Sequence, residues 1–314
     1  MRCFGRVPGL SVCPNIGHRQ TDQVDPVRAN TERASVFKDV MFWRATIQSK
    51  ENLMADHQIR FDDGAAYERT MGVWSTIAGE IFLDWIAPGP GLRWVDVGCG
   101  NGAVTELVVK KCLADEVQGI DPSEGQLKYA RARPATRMAE FRQGDAMALP
   151  FPDDRFDLAI MALVIFFVPD PAKGLAEMVR VVSSGGIVAA YAWDIVGGGF
   201  PWQPVQTELL AMGLTPVRPP SADVSRMAAL QTLWTDAGLD AVETRKIEVQ
   251  RTFADFDDFW ATAMLGATIG PAIAALVPGD REQLKARVRA RLPADSAGRI
   301  TCGAWANAVK GNVR

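Results

Sequence analysis

The stretch Trp94 to Gly102, WVDVGCGNG, constrains the fold of this chain more than any other. Trp94-Val95-Asp96-Val97 is apolar and β-branched apart from one acid, the pattern of a strand buried in a parallel sheet. Gly98, Gly100 and Gly102 follow at alternate positions, where the chain must turn tightly and a ligand must approach bare backbone. A helix is expected next, with Ala103, Val104, Leu107 and Val108 on one face. Strand, glycine turn and helix make the first unit of a nucleotide-binding α/β fold.

The glycines alone leave the ligand open. Gly98-x-Gly100-x-x-Ala103 also fits the dinucleotide fingerprint, whose last position admits Ala. Two acids narrow the choice. Asp96 stands at the carboxyl end of the strand, and a second apolar stretch ends in Gly119-Ile120-Asp121-Pro122, 21 residues after Gly100. An acid at the end of the second strand accepts hydrogen bonds from ribose hydroxyls. The plainer alternative is a structural turn with Asp121 capping the next helix.

With these residues the chain resembles the class I S-adenosylmethionine (SAM)-dependent methyltransferases, and within them the small-molecule branch called methyltransferase type 11. The resemblance rests on VDVGCGNG (95–102), GIDPS (119–123), GDAMALPFPDDRFD (144–157) and SGGIVAAYAW (184–193), and it covers roughly residues 65 to 310. It implies a doubly wound α/β sheet of seven mostly parallel strands with an antiparallel last strand. It also implies SAM as cofactor: Asp96, Gly98 and Gly100, with Cys99 between them, cradle the methionine part. Asp121 and Pro122 stand at the ribose, Gln126 touches the adenosine, and Asp145 with Ala146 holds the adenine, beneath which Met161 passes. For Asp145 the competing reading is a turn aspartate that bonds its own backbone.

The rest of the chain is assigned around that core. Residues 1–53 lack periodicity, apart from a short helix candidate at Val36 to Ile47, and read as a disordered extension; 54–314 read as the methyltransferase domain. Trp74, Ile77, Ala78, Ile81, Phe82 and Trp85 predict an amphipathic helix before strand one. Strands are expected at 139–143, 156–161, 187–193, 241–252 and 300–309, and helices at 123–133, 171–181, 205–212 and 225–237. A helical cap inserted at about 194–238 roofs the acceptor pocket in this reading, with Gly197-Gly198-Gly199 either a mobile lid or a surface loop. Tyr67, Trp74, Trp193 and Trp202 are the candidate substrate-binding residues.

Methyl transfer from a sulfonium needs alignment more than a strong base. No residue is assigned as catalytic: Tyr67, Tyr191 and Asp194 are candidates to orient or deprotonate an acceptor hydroxyl, each also readable as structural. Phe166-Phe167 stand near where many relatives carry a histidine, and the chain's two histidines, His18 and His57, precede the fold.

Composition and missing motifs bound the acceptor. A net charge of −3 and the lack of a basic, aromatic-interleaved patch argue against nucleic acid. No apolar run approaches the ~18–20 residues of a membrane helix. Five cysteines without a C-x-x-C pair argue for a reducing, cytoplasmic compartment rather than a zinc site, and no metal is expected. What remains is methyl transfer to a small, partly apolar molecule. The alternatives are a nicotinamide-dependent oxidoreductase, disfavoured by Asp96 and Gly144-Asp145, and a protein that holds SAM without transferring its methyl group. Sequence leaves the oligomeric state open.

Overall fold

The structure is a computed structural model and describes residues 63–314. The extension expected at 1–53, the helix candidate at 36–47 and both histidines lie outside the described residues.

One seven-stranded sheet organises the described chain. Its strands are β1 (Arg93–Val97), β2 (Glu116–Asp121), β3 (Ala139–Gln143), β4 (Phe156–Ala162), β5 (Val182–Trp193), β6 (Asp240–Phe253) and β7 (Ile300–Asn312). They lie in the order β3-β2-β1-β4-β5-β7-β6. The first five are parallel, and β7 runs antiparallel between β5 and β6. In β1, Asp96 lies between Gly119 of β2 and Ile160 of β4. Strand order reverses between β1 and β4, so a crevice opens at their carboxyl ends, directly above Asp96. Val95, Val97, Leu158, Ala159 and Ile160 are all buried. That is why these strands read as continuous apolar runs, whereas edge strand β6 alternates.

Before the sheet the chain forms α1 (Gly64–Tyr67), a π-helical segment (Glu68–Gly72) and α2 (Val73–Ile86) without a break. The buried stripe of α2 is the i, i+4 series Trp74, Ala78, Phe82 and Ile86, with Leu83 beside it. Ile77, Ile81 and Trp85 are only partly buried, so the face is narrower than the sequence pattern suggests. Burying Trp74, Phe82 and Ile86 alone contributes on the order of 5 kcal/mol, at roughly 1.5–3 kcal/mol per large apolar side chain.

The sheet's own helices are α3 (Ala103–Lys111), α4 (Glu124–Ala132) and α5 (Pro171–Val181). Ser123 and Asp170 cap α4 and α5 through the Gln126 and Lys173 amides. Strand β5 starts five residues earlier than the glycine pair Gly185-Gly186 suggests, since Val182 already pairs with Phe156. The glycines mark an irregularity inside the strand: a Cβ on Gly186 would lie 2.6 Å from the Asp157 carbonyl.

After β5 come α6 (Gln203–Ala211) and α7 (Met227–Asp236). The expected cap at 194–238 is too long at its end. Helix α7 covers the sheet, its Trp234 indole donating to the Val188 carbonyl at 2.9 Å. The cap gains instead from the β6–β7 connection, which carries α8 (Phe256–Met264), α9 (Gly270–Ala274) and α10 (Pro278–Arg291). Buried Glu208 of α6 ties the two insertions together by accepting from Arg287 and Arg291 of α10. No helix among the described residues is long and apolar enough to cross a membrane.

Candidate active site

Gly98, Gly100 and Gly102 all adopt left-handed backbone, with φ of 77°, 52° and 80°. Their neighbours differ. A Cβ on Gly98 would lie 2.5 Å from Val164, so this glycine lets the β4 loop pack against the turn. Gly100 faces open space, its nearest neighbour being the Gln126 carboxamide oxygen at 3.8 Å from such a Cβ.

Five amides of this turn are already engaged. Gly98 and Cys99 both donate to the Ile120 carbonyl, at 2.7 and 3.0 Å, and Gly102 donates to Cys99. Gly100 donates to Asp121 Oδ2 at 2.9 Å, and Ala103 to Asn101 Oδ1 at 3.3 Å. A dinucleotide site needs free amides aimed at a pyrophosphate. This turn presents acceptors instead, which suits a cationic or hydroxyl-bearing ligand.

Asp96 is buried at the head of the crevice. Thr105 donates to its Oδ2 at 2.6 Å, while Oδ1 has no partner. Burial pushes its carboxyl up to about 7, against the lowering bond from Thr105, and the Asp121 charge adds to the rise. Burial likewise raises Asp121, whose oxygens accept from Ser123 and Gly100. Gln126 is buried with neither carboxamide atom partnered. These orphaned atoms of Asp96 and Gln126 flank the open face of Gly100. A group carrying an ammonium and hydroxyls fits them, as SAM does.

The π-helical segment sits over these acids. Tyr67 has its phenol pushed up to about 12, chiefly by burial, against a lowering hydrogen bond from Ser75. The charges of Asp121, Glu68 and Asp96 raise it further. Glu68 accepts from Asn101 of the glycine turn at 2.6 Å and pairs with Arg133, which also binds Glu106 at 2.6 Å. A π-turn leaves carbonyls short of their usual partners. Arg251 supplies them, donating to the Arg69 and Thr70 carbonyls at 3.0 Å each.

Tyr67 also lines an apolar cavity. Its walls include Leu163 and Phe166 after β4, Trp193 at the end of β5, Trp202 before α6, and Gly266 after α8.

The candidate residues therefore divide. Asp96, Gly100, Asp121 and Gln126 converge on the crevice, and Tyr67, Trp193 and Trp202 line the adjoining cavity. Trp74 does not line it: its place in the buried stripe of α2 sets it one layer back, edge-on to Trp193 at 6.2 Å. Met161 is wholly buried within the sheet. Cys99 packs under the turn against Leu127, Ala130 and Phe141, while Pro122 is exposed and takes a bond from Gln143 on its carbonyl. Asp145 is exposed and accepts from Met147 at 2.8 Å, making the turn bond of the competing reading; Ala146 beside it is half-buried.

Two of the three candidate bases are structural. Tyr191 is buried and donates to the Ser75 carbonyl at 3.2 Å. Asp194 accepts from the Gly197 amide and the Trp305 indole, at 2.7 and 3.3 Å, and a Cβ on Gly199 would strike the Trp305 carbonyl at 2.3 Å, so the triple-glycine run is pinned to β7. Sequence reasoning missed Met71, Leu163, Phe166 and Arg218 as cavity residues. Only the helical spacing of Met71 from Tyr67 could have pointed to one of them.

Residues 95–190 match the methyltransferase domain family. The chain carries a methyltransferase domain. That domain is 40% identical over 106 residues to a demethylmenaquinone methyltransferase of Desulfitobacterium hafniense, covering 32% of this chain and 42% of that protein. It is 42% identical over 96 residues to the chloroplastic 2-methyl-6-phytyl-1,4-hydroquinone methyltransferase 2 of Oryza sativa subsp. japonica, covering 31% and 28%. The chain thus spans less than half the length of these curated relatives. A candidate methyltransferase from Bacillus halodurans shares the fold at a TM-score of 0.51 and 17% identity, over 74% of this chain and 97% of that one. The methyltransferase match ends within β5, short of the two insertions that follow it.

Proposed function

We propose that this protein transfers a methyl group from SAM to a small, largely apolar acceptor. The observation that carries the proposal is the junction at Tyr67. Burial and the charges of Asp121, Glu68 and Asp96 raise its phenol, and the same residue lines an apolar cavity. SAM bound in the crevice supplies the electrophilic methyl carbon. Asp96 and Asp121 would hold its cationic and hydroxyl-bearing parts, and Trp193, Trp202 and Phe166 would exclude water from the acceptor. Alignment of this kind is worth roughly 7–11 kcal/mol in favourable cases. Tyr67, with its phenol near 12, stays protonated at neutral pH and orients an acceptor by hydrogen bonding rather than acting as a base.

The two named relatives lend support, since demethylmenaquinone and a phytyl hydroquinone are apolar ring compounds. A reducing, cytoplasmic setting agrees with Cys99, Cys112 and Cys302, which are buried and free.

Calorimetric titration with SAM, S-adenosylhomocysteine and NAD tests the cofactor. Micromolar binding of the first two, without NAD, is expected. Binding of NAD alone would overturn the proposal.

A further inference from the structure

The cavity beside Tyr67 has apolar walls with few polar groups, and among the described residues Arg218 is the only charged one that lines it. Its side chain is 54% exposed, so the guanidinium stands where the cavity meets solvent, whereas the Tyr67 phenol is buried. Neighbours in its loop fix Arg218 there. Val217 and Pro219 on either side also line the cavity, and Ser221 anchors the loop by donating to the Phe166 and Val168 carbonyls at 3.0 and 2.7 Å.

The guanidinium makes no hydrogen bond to the protein among the described residues. Its one acidic neighbour is Asp223 at 3.9 Å, a side chain 85% exposed. An ion pair open to solvent at that distance contributes almost nothing to stability. Five donors in a planar fork, permanently charged, therefore stand at the mouth of an apolar chamber with no structural duty to explain them.

We infer that the acceptor is an apolar molecule carrying one anionic group, a carboxylate or a phosphate ester, which Arg218 binds at the cavity mouth. The apolar body lies between Phe166, Trp193 and Trp202, and the methyl-accepting atom reaches the Tyr67 end. This deepens the methyltransferase reading and rests on it, since Tyr67 is taken as the transfer end. The anion also fixes direction: the molecule enters with its neutral end first, because the opposite orientation would bury the charge in apolar walls away from Arg218.

The test is calorimetry on the full chain saturated with S-adenosylhomocysteine, at low ionic strength, using decanoate, decyl phosphate, 1-decanol and decyltrimethylammonium. Decanoate or decyl phosphate, or both, are expected to bind about tenfold tighter than 1-decanol, and the ammonium weakest. The ranking of the two anions separates a carboxylate from a phosphate acceptor. In Arg218→Gln the anion and the alcohol are expected to bind within about twofold of each other, with 1-decanol unchanged, and Arg218→Lys retains most of the preference. Equal binding of alcohol and anion by the wild type, survival of the preference in Arg218→Gln, or binding of none of the four overturns the inference. SAM titration separates it from the underlying reading. A chain that binds SAM without favouring the anion refutes only the acceptor class. If SAM does not bind, the same ligands are run without S-adenosylhomocysteine: an anion preference that depends on Arg218 then refutes the transferase reading alone.

Discussion

Replacing Asp96 with Asn removes the buried carboxyl whose ionisation the fold opposes. In the native protein this group holds its proton up to about pH 7, against an ordinary value of 3.8. Between those values the unfolded chain has released the proton and the native chain has not. The native state therefore binds more protons, and stability falls as pH rises. The contribution is intact below 3.8 and fully lost above about 7. An interval of about three pH units, at roughly 1.4 kcal/mol each, makes the loss about 4 kcal/mol. Burial of Asp96 leaves little solvent to screen that cost. In Asp96→Asn the Thr105 hydroxyl still finds an oxygen acceptor, but the new amide group lacks one, which costs about 1–3 kcal/mol at every pH. The variant is expected to be the less stable protein near pH 4 and the more stable one near pH 8. Urea unfolding of both proteins from pH 4 to 8 reads this directly, because other titrating groups cancel in the difference. A difference that does not change with pH would refute the assigned environment of Asp96. The variant is also expected to lose SAM affinity, and in the wild type that affinity is expected to rise as pH increases toward 7 and Asp96 ionises.

Asp121→Asn is expected to weaken SAM binding by about 1–3 kcal/mol in calorimetry, and unchanged affinity in a folded variant would remove Asp121 from the site. Gly98→Ala places a Cβ 2.5 Å from Val164 at a φ of 77°, so a thermal melt is expected to report at least about 1–3 kcal/mol of destabilisation. The double variant Gly98→Ala, Val164→Ala is expected to recover the steric part of that loss and keep the backbone part. Glu68→Gln loosens the clamp between the π-helical segment and the glycine turn by about 1 kcal/mol. Hydrogen exchange is expected to quicken at residues 64–72 and to stay unchanged in β1 and β4.

The sheet was legible because its evidence is local. Buried parallel strands leave unbroken apolar runs, Ser123 and Asp170 announce the helices they cap, and Asp96 and Asp121 stand where each strand meets its turn. Errors arose where packing across the chain overrode a local sign. Gly185-Gly186 looks like a turn, and only pairing of Val182 with Phe156 makes it part of β5. The π-helical segment carries no mark in the sequence, because it depends on Arg251, more than 180 residues away, to satisfy its carbonyls. Trp74 and Trp193 are equally plausible aromatics by composition, yet only Trp193 lines the cavity.

The two halves of the site differ in the same way. The candidate cofactor half is drawn from two strand ends and the turns that follow them, so short motifs report it. The cavity is lined by residues 67, 71, 163, 166, 193, 202, 218 and 266, which come from stretches scattered over 200 residues of the chain. Several of these side chains also serve the core, since Phe166, Trp193 and Trp202 are buried and Trp202 packs against Phe253 and Phe259. Tyr67 lines the cavity while the charges of Asp96 and Asp121 act on its phenol, so in the proposed reading it answers to both ligands. A change there should alter cofactor affinity and acceptor turnover together, whereas a change at Arg218 should alter only the acceptor. Measuring both constants in Tyr67→Phe and Arg218→Gln therefore tests whether the cavity and the crevice form one site.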